Sequence, residues 1–342
     1  RDNTAETAQI GAENMAETEQ DGNDHNADVM QDGTENYAWA GQINGDGNDA
    51  DVDQTGNSNA AYVTQGMIVG YFDPPYEPTT ALAGSNNTGT TSQNGDENFA
   101  NTVQVGDGNS TTITQDGSNN TGYSYQGWAY GFWGETAVTS ALSSYNSTVD
   151  ISQLSSENYV GVWQYGGNNN NVSINQSGGN DNLANVSQGF IYTDGAYNFT
   201  TPVYNTENNT ASITQVGGDN SNRLFQLGDN NDFTLTQAGD GNTVGGRDLE
   251  PNVPVGRNGY FEQDGNNNLF TGLQADGATL KHESFQFGDE NEIDLLQGAS
   301  DEALIQQSGN LNTVTNHQGG GGNTSSVVQT GNSNTASVSQ NL

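Results

Sequence analysis

The groups with chemistry to offer in this chain are 42 carboxylates, three histidines and a dense population of side-chain amides. His25, His282 and His317 stand far apart without the spacing of metal ligands, so they read as surface or turn residues. Among so many carboxylates, pairs suited to acid–base work arise by chance, and no nucleophile stands beside a base, so no catalytic site is expected. Asp46 with Asp49 and Asp51, or Asp229 beside Gly228, invite calcium. The nonapeptide calcium-binding roll needs a different period, however, and diffuse cation attraction is favoured over a dedicated calcium site. The run Gly319 to Gly322 reads as a turn rather than a phosphate cradle.

That leaves the amides, whose chemistry is hydrogen bonding. Gln and Asn recur in the pattern Q-x-G-x-x-N-x-A-x-x-x-Q with a period of eleven residues. Gln9, Gly11, Asn14, Ala16 and Gln20 set it out, Gln104, Gly106, Asn109 and Gln115 repeat it, and Gln329, Gly331, Asn334, Ala336 and Gln340 close it. A fixed short period signals stacked units rather than a globular core.

The elements that position the amides follow from alternation. Asn109, Thr111, Ile113 and Gln115 fall on one face of a strand and Ser110, Thr112 and Thr114 on the other. Asn48, Ala50, Val52 and Gln54 likewise oppose Asp49, Asp51 and Asp53, and Asn291, Ile293, Leu295 and Gln297 oppose Glu292 and Asp294. The amide and aliphatic face is therefore interior and the acidic face solvated. The Gly-, Asp- and Asn-rich segment from Gln to Asn reads as a tight turn. Two such strands and turns make a coil of about 22 residues, and coils stack about 4.8 Å apart. The expected fold is all-β: a two-sided β-solenoid of strand-turn-strand coils, stacked parallel and in register, cross-β and amyloid-like.

Stacking gives the amides their task. Each Asn or Gln donates to its copy in one neighbouring coil and accepts from its copy in the other, a ladder assigned to Asn3, Gln9, Asn14, Gln20, Gln31, Asn36, Gln54 and Asn59. Gln104, Asn109, Gln115, Asn291, Gln297, Gln329, Asn334 and Gln340 extend it. Stacked carboxylates would repel, so they are not expected in these columns.

Composition agrees. Only 30% of residues are hydrophobic and the formal net charge is -37, a balance that without the repeat would signal disorder. Five basic residues leave nothing to neutralise phosphates, which excludes nucleic acid as a partner. Cysteine is absent, and no apolar stretch is long enough to insert in a membrane. No signal-peptide pattern stands at Arg1, so an exported chain would be read here in its processed form.

About 25 strands align as one domain over 1–342, a rod on the order of 60 Å. Insertions are expected at about 66–85, 127–145, 189–207 and 243–258. The first three carry aromatics, among them Tyr71 and Phe72, then Trp128, Phe132 and Trp133, then Phe190 and Tyr192. All three leave from one edge, two coils apart, as a ridge for lateral contact or as a cover for their own solenoid. The fourth follows the strand ending at Gln237 and should leave from the other edge.

The repeat resembles that of curlins, the subunits of the extracellular curli fibres of bacterial biofilms. Gln31, Gly33, Asn36, Ala38 and Gln42, and Gln54, Gly56, Asn59, Ala61 and Gln65, match its motif, and Gln104, Gly106, Gly108, Asn109 and Gln115 retain its second glycine. The resemblance implies a β-solenoid serving as a secreted, self-assembling subunit, with secretion and nucleation factors as further partners. The long insertions and acidic surface depart from familiar curlins. Regular repeats at Asn3 to Gln9 and Asn334 to Gln340 lead us to expect head-to-tail stacking, opposed by charge and favoured by salt, calcium or low pH. The alternative is a secreted acidic solenoid that binds calcium or a surface ligand as a monomer.

Overall fold

The computed structural model describes residues 2–69, 80–82, 84–130, 140–189, 206–245, 261–281 and 283–341. None of these forms a helix, so no helix is long and apolar enough to cross a membrane. They fall into two compact units, residues 1–157 with 161–169, and residues 158–160 with 170–342.

In the first unit, strands β1 (Thr4–Ala12), β2 (Met15–Asn23), β3 (Asn26–Thr34), β4 (Tyr37–Asp46), β5 (Asp49–Asn57) and β6 (Ala60–Gln65) alternate between two parallel sheets. One sheet runs β1-β3-β5 and on through Thr88–Asn94, Ser110–Asp116 and Thr148–Gln153. The other runs β2-β4-β6, Phe99–Gln104 and Thr121–Gln126. Pairing is in register, so Gln9 lies beside Gln31 and Gln31 beside Gln54. Between the sheets lie Ala27, Val29, Ala50 and Val52 from one side and Ala38, Ala40, Ala61 and Val63 from the other. Small side chains fit because the interior is one side chain deep from each sheet. The fold is a two-sided parallel β-solenoid.

The regular turns carry two left-handed residues, as at Gly33 (φ 137°) and Glu35 (φ 59°). At Gly33 a Cβ would collide with the carbonyl oxygen of Gly56 in the next coil, so only glycine fits. The second position, just before Asn, is Gly108 in one turn but Glu35, Ser58, Glu97 or Leu311 in others. A left-handed L-residue costs about 1–2 kcal/mol. Stacking offsets it: the N–H of Glu35 donates to Ala12 O (3.0 Å) and that of Ser58 to Thr34 O (2.9 Å).

The first two insertions begin as antiparallel hairpins, Met67–Val69 with Thr80–Leu82 and Trp128–Tyr130 with Ser140–Leu142. They follow β6 and Thr121–Gln126, strands of the same sheet, and their first strands approach each other. Gly84–Ser85 already belongs to the solenoid, pairing in parallel with Gly106–Asp107.

In the second unit, one sheet holds Asn171–Gly178, Thr210–Gly217, Asp232–Ala238, Leu269–Ala275, Glu292–Gln297, Thr313–Gln318 and Thr335–Gln340. The facing sheet begins with Leu183–Gln188 and Ser221–Leu227 and ends with Glu302–Ser308 and Thr324–Thr330. Between them two levels are split: Thr243–Val244 with Phe261–Asp264, then Thr279–Leu280 with Phe285–Phe287. This corrects the expected exit of the fourth insertion. The turn after Gln237 is regular, Thr243 and Val244 pair with Ser221 and Asn222, and the chain leaves only after the strand has begun. It returns at Phe261 to pair with Leu224 of the same neighbouring strand. Asn242 and Gln263 hold the two ends of this level in their amide columns, so the loop interrupts the strand without breaking a column. Phe233, Phe261 and Phe270 pack together in the interior here, with ring centroids 4.5–5.7 Å apart.

Candidate assembly surface

The glutamines form directional columns. In the first unit the Nε2 of Gln9 donates to Gln31 Oε1 (2.7 Å), Gln31 to Gln54, Gln54 to Gln93, and Gln93 to Gln115 (each 2.8 Å). Opposite them Gln20 donates to Gln42 (2.9 Å), Gln42 to Gln65 (3.0 Å), Gln65 to Gln104 (2.9 Å) and Gln104 to Gln126 (3.0 Å). In the second unit Gln274 donates to Gln297 (2.9 Å), Gln318 to Gln340 (2.9 Å) and Gln307 to Gln329 (3.0 Å). Every one of these donors points along the chain direction.

The second N–H of these glutamines, Gln9 excepted, makes a bond that reading the sequence missed. Gln54 Nε2 also donates to Tyr37 O (3.0 Å) and Gln42 Nε2 to Asn26 O (2.7 Å), in the facing sheet. The ladder therefore braces the two sheets as well as stacking the coils. No sequence signal reveals this, because it depends on the thickness of the interior.

Asparagines bind both ways. Asn14 Oδ1 accepts from the backbone N–H and from the Nδ2 of Asn36 (both 3.1 Å), while Asn36 Nδ2 also donates to Gly56 O (2.8 Å). Asn59 repeats this with Asn36 and Gly95, and Asn334 donates to Asn312, which donates to Asn291. Asn109 accepts from the N–H of Ser147 (3.2 Å) and donates to Ser144 O (2.7 Å). Asn3 Oδ1 accepts from the N–H of His25 (3.1 Å).

Two columns hold residues other than asparagine at an asparagine position. His25 lies in the turn between β2 and β3, as read, but is buried there rather than on the surface, and its Nδ1 accepts from the N–H of Asn48 (3.3 Å). His317 lies on a strand, within 3.0 Å of Asp294, and His282 is outside the described residues. Asp301 is buried in an asparagine position, where no carboxylate was expected. It accepts from the N–H and Nδ2 of Asn323 (2.8 and 2.9 Å) and from the N–H of Gly298 (2.8 Å). Its column neighbours, Ala278 and Asn323, carry no charge, so no like-charge stack arises.

A further ladder runs along the turns. Asp96 Oδ1 accepts from the N–H of Asn57 (2.8 Å), Asp229 Oδ1 from that of Glu207 (2.9 Å), and Asp240 Oδ1 from that of Gly218 (2.7 Å). Asp46 Oδ1 accepts from Asn23 Nδ2 (2.7 Å). These turn aspartates serve the backbone and amides of the preceding coil. Among the described residues no three His, Asp or Glu side chains converge as they would around a metal ion.

On the outer faces, Glu6, Asp28 and Asp51 stack in one column. Partial burial, then the charges of Asp28, Asp49 and Asp53, push the Asp51 carboxyl above its ordinary range. The facing sheet of the first unit carries a half-buried aromatic row: Tyr37, Tyr62, Phe99 and Tyr123, with successive centroids 5.3–5.7 Å apart. The sequence signal for it was present in the outward alternates of each strand. Of the aromatics assigned to lateral contact, Trp128 begins the second hairpin, while Tyr71, Phe72, Phe132, Trp133, Phe190 and Tyr192 lie outside the described residues.

The Curlin associated repeat model matches residues 1–33, 26–56, 45–70, 84–117, 95–123, 146–178 and 206–245, together 183 of 342 residues. This chain belongs to the curlin-repeat family. No curated protein matches it significantly. As a curlin-repeat protein it is a curli-type structural chain.

Proposed function

We propose that this curlin-repeat protein is the subunit of an extracellular fibre, polymerising head to tail by continuing its own columns from copy to copy. The observation that carries the reading is the directional, in-register column: each glutamine Nε2 donates to its copy in the next coil, as from Gln31 to Gln54 and from Gln274 to Gln297, so one coil can stack on another of its kind. Strand β1 is exposed along its whole length, whereas β3, one coil inward, alternates buried and exposed. Among the described residues no donor reaches Gln9 Oε1 or Gln20 Oε1 in the first unit, and in the second unit Gln340 and Gln329 accept from Gln318 and Gln307. A second copy in register places Gln340 against Gln9 and Gln329 against Gln20. Each junction then gains backbone pairing and amide bonds of about 1 kcal/mol each. Secretion and nucleation factors, and a role in biofilm matrix or adhesion, belong to the same proposal.

Electron microscopy and fibre diffraction of the incubated protein test it. Thin filaments with a meridional spacing near 4.8 Å are expected. A protein that stays monomeric at high concentration overturns the reading and favours a monomeric binder.

A further inference from the structure

Cysteine is absent from this chain, so no disulfide fastens one coil to the next. Another side chain that couples to its own kind stands on the outer face of the first unit. Tyr37 on β4 and Tyr62 on β6 belong to neighbouring coils, and their ring centroids lie 5.3 Å apart at 42°. Rings at that separation are in contact. They meet diagonally: in the register of β4 with β6, Tyr37 lies opposite Ala60, and Trp39 opposite Tyr62. The small Ala60 leaves room for the Tyr37 ring to lean toward Tyr62. Trp39 leaves that room free by lying over Gly41, where a Cβ would come within 2.7 Å of the indole Nε1. Both tyrosines are half-buried, so a diffusible oxidant reaches them. Farther along the row stands Phe99, which has no phenol, with its centroid 5.7 Å from Tyr62. Tyr123 and Tyr125 also stack, at 6.1 Å, but they share one strand, and a bond between them would join no coils.

We infer that Tyr37 and Tyr62 form an oxidative cross-linking site, at which a one-electron oxidant of the peroxidase type, supplied with hydrogen peroxide, couples the two rings into dityrosine. Each phenol loses one electron and one proton. The two radicals combine through ring carbons ortho to the oxygens, forming one C–C bond, and the hydrogen on each of those carbons passes to its phenol oxygen. Hydrogen peroxide takes up the two electrons and two protons and leaves as two waters. Stacking in register holds the rings together before the oxidant arrives, so coupling within the chain is favoured over coupling between copies. The new bond fastens β4 to β6. Like a disulfide, it restricts the unfolded chain and so stabilises the fold. The inference needs only the stacked coils of the first unit and is independent of fibre formation.

Dilute, freshly prepared protein treated with peroxidase and hydrogen peroxide, then cleaved at its acidic residues and read by mass spectrometry, tests this. The expected product is a monomeric chain with dityrosine fluorescence, in which the peptides carrying Tyr37 and Tyr62 are joined and lighter than their sum by two hydrogens. Tyr37→Phe and Tyr62→Phe should each abolish the joined peptides, whereas Tyr145→Phe, a change at an exposed tyrosine away from the pair, should leave them. The coupled chain should melt at a higher temperature than the untreated one, and treated Tyr62→Phe should lose that rise. Coupling found only between copies, or joined Tyr37 and Tyr62 peptides formed as readily when the chain is oxidised in urea, overturns the site. A coupled chain that melts no higher than the untreated one overturns its action as a staple.

Discussion

Replacing Gln54 by Glu puts the amide ladder to its most direct trial. Gln54 is fully buried; its Nε2 donates to Gln93 Oε1 (2.8 Å) and Tyr37 O (3.0 Å), and its Oε1 accepts from Gln31 Nε2 (2.8 Å). Glutamate keeps the shape and the acceptor but loses both donors. Two buried acceptors are orphaned at about 1–3 kcal/mol each, and an unpaired charge is desolvated in addition, so the loss at pH 7 is about 5 kcal/mol or more. Against a domain stability of about 5–15 kcal/mol, that unfolds much of the first unit. Burial raises the folded-state pKa of the new carboxyl above its unfolded value. The penalty is therefore complete above the folded pKa and shrinks as pH falls below it, where the protonated acid can again donate one bond. Gln54→Leu removes the same donors without a charge, so its cost should not vary with pH. Thermal unfolding of freshly prepared, unassembled protein at pH 7 and pH 3, each compared with the unmodified chain, checks this. A Gln54→Glu melting point equal to that of the unmodified chain at pH 7, or a deficit as independent of pH as that of Gln54→Leu, would refute the ladder as the source of register.

Two glycines separate folding from assembly. A Cβ at Gly95 (φ 130°) would strike the backbone oxygen of Gly117, whereas at Gly331 (φ 99°) its nearest neighbour is Asn334 Nδ2 at 3.7 Å. Gly95→Ala should cost about 3 kcal/mol or more in urea unfolding and Gly331→Ala only the backbone strain, about 1 kcal/mol. If Gly22 of another copy stacks on Gly331, Gly331→Ala should nonetheless block elongation; filaments of normal length and rate would contradict that stacking. Asp51 supplies a pH test. Its carboxyl is raised by burial and by Asp28, Asp49 and Asp53, so its charged form is penalised in the fold. That penalty is full above the folded pKa and gone below the unfolded one. Asp51→Asn should therefore raise the melting temperature at pH 7 and leave it unchanged near pH 3, and a gain that persists in acid would assign the effect elsewhere.

The eleven-residue period made the solenoid legible because in-register stacking gives every residue the environment of its copies, so one rule for inside and outside applies to each strand from β1 onward. What the period left hidden has a physical pattern. The fourth insertion leaves between Val244 and Phe261 because the columns fix strands only at their ends, through Asn242 and Gln263; spacing cannot distinguish a loop at a turn from one in mid-strand. The aromatic row from Tyr37 to Tyr123 was hidden by judging outward positions on charge alone. The burial of His25 and the presence of Asp301 in an asparagine position have a deeper reason. What the asparagine column supplies at most levels is an acceptor for the backbone N–H of the next level; at Ala278 none is offered, and the N–H of Asp301 turns to Gly298 O (3.3 Å). Asn14 supplies it for Asn36, a ring nitrogen of His25 supplies it for Asn48, and a carboxylate of Asp301 supplies it for Asn323. The glutamine columns demand more. Each must accept from one neighbour while donating to the next and to the facing sheet, a combination that neither a carboxylate nor a histidine supplies. The glutamine columns should therefore tolerate substitution least, and the asparagine columns should accept any compact acceptor whose neighbours carry no charge.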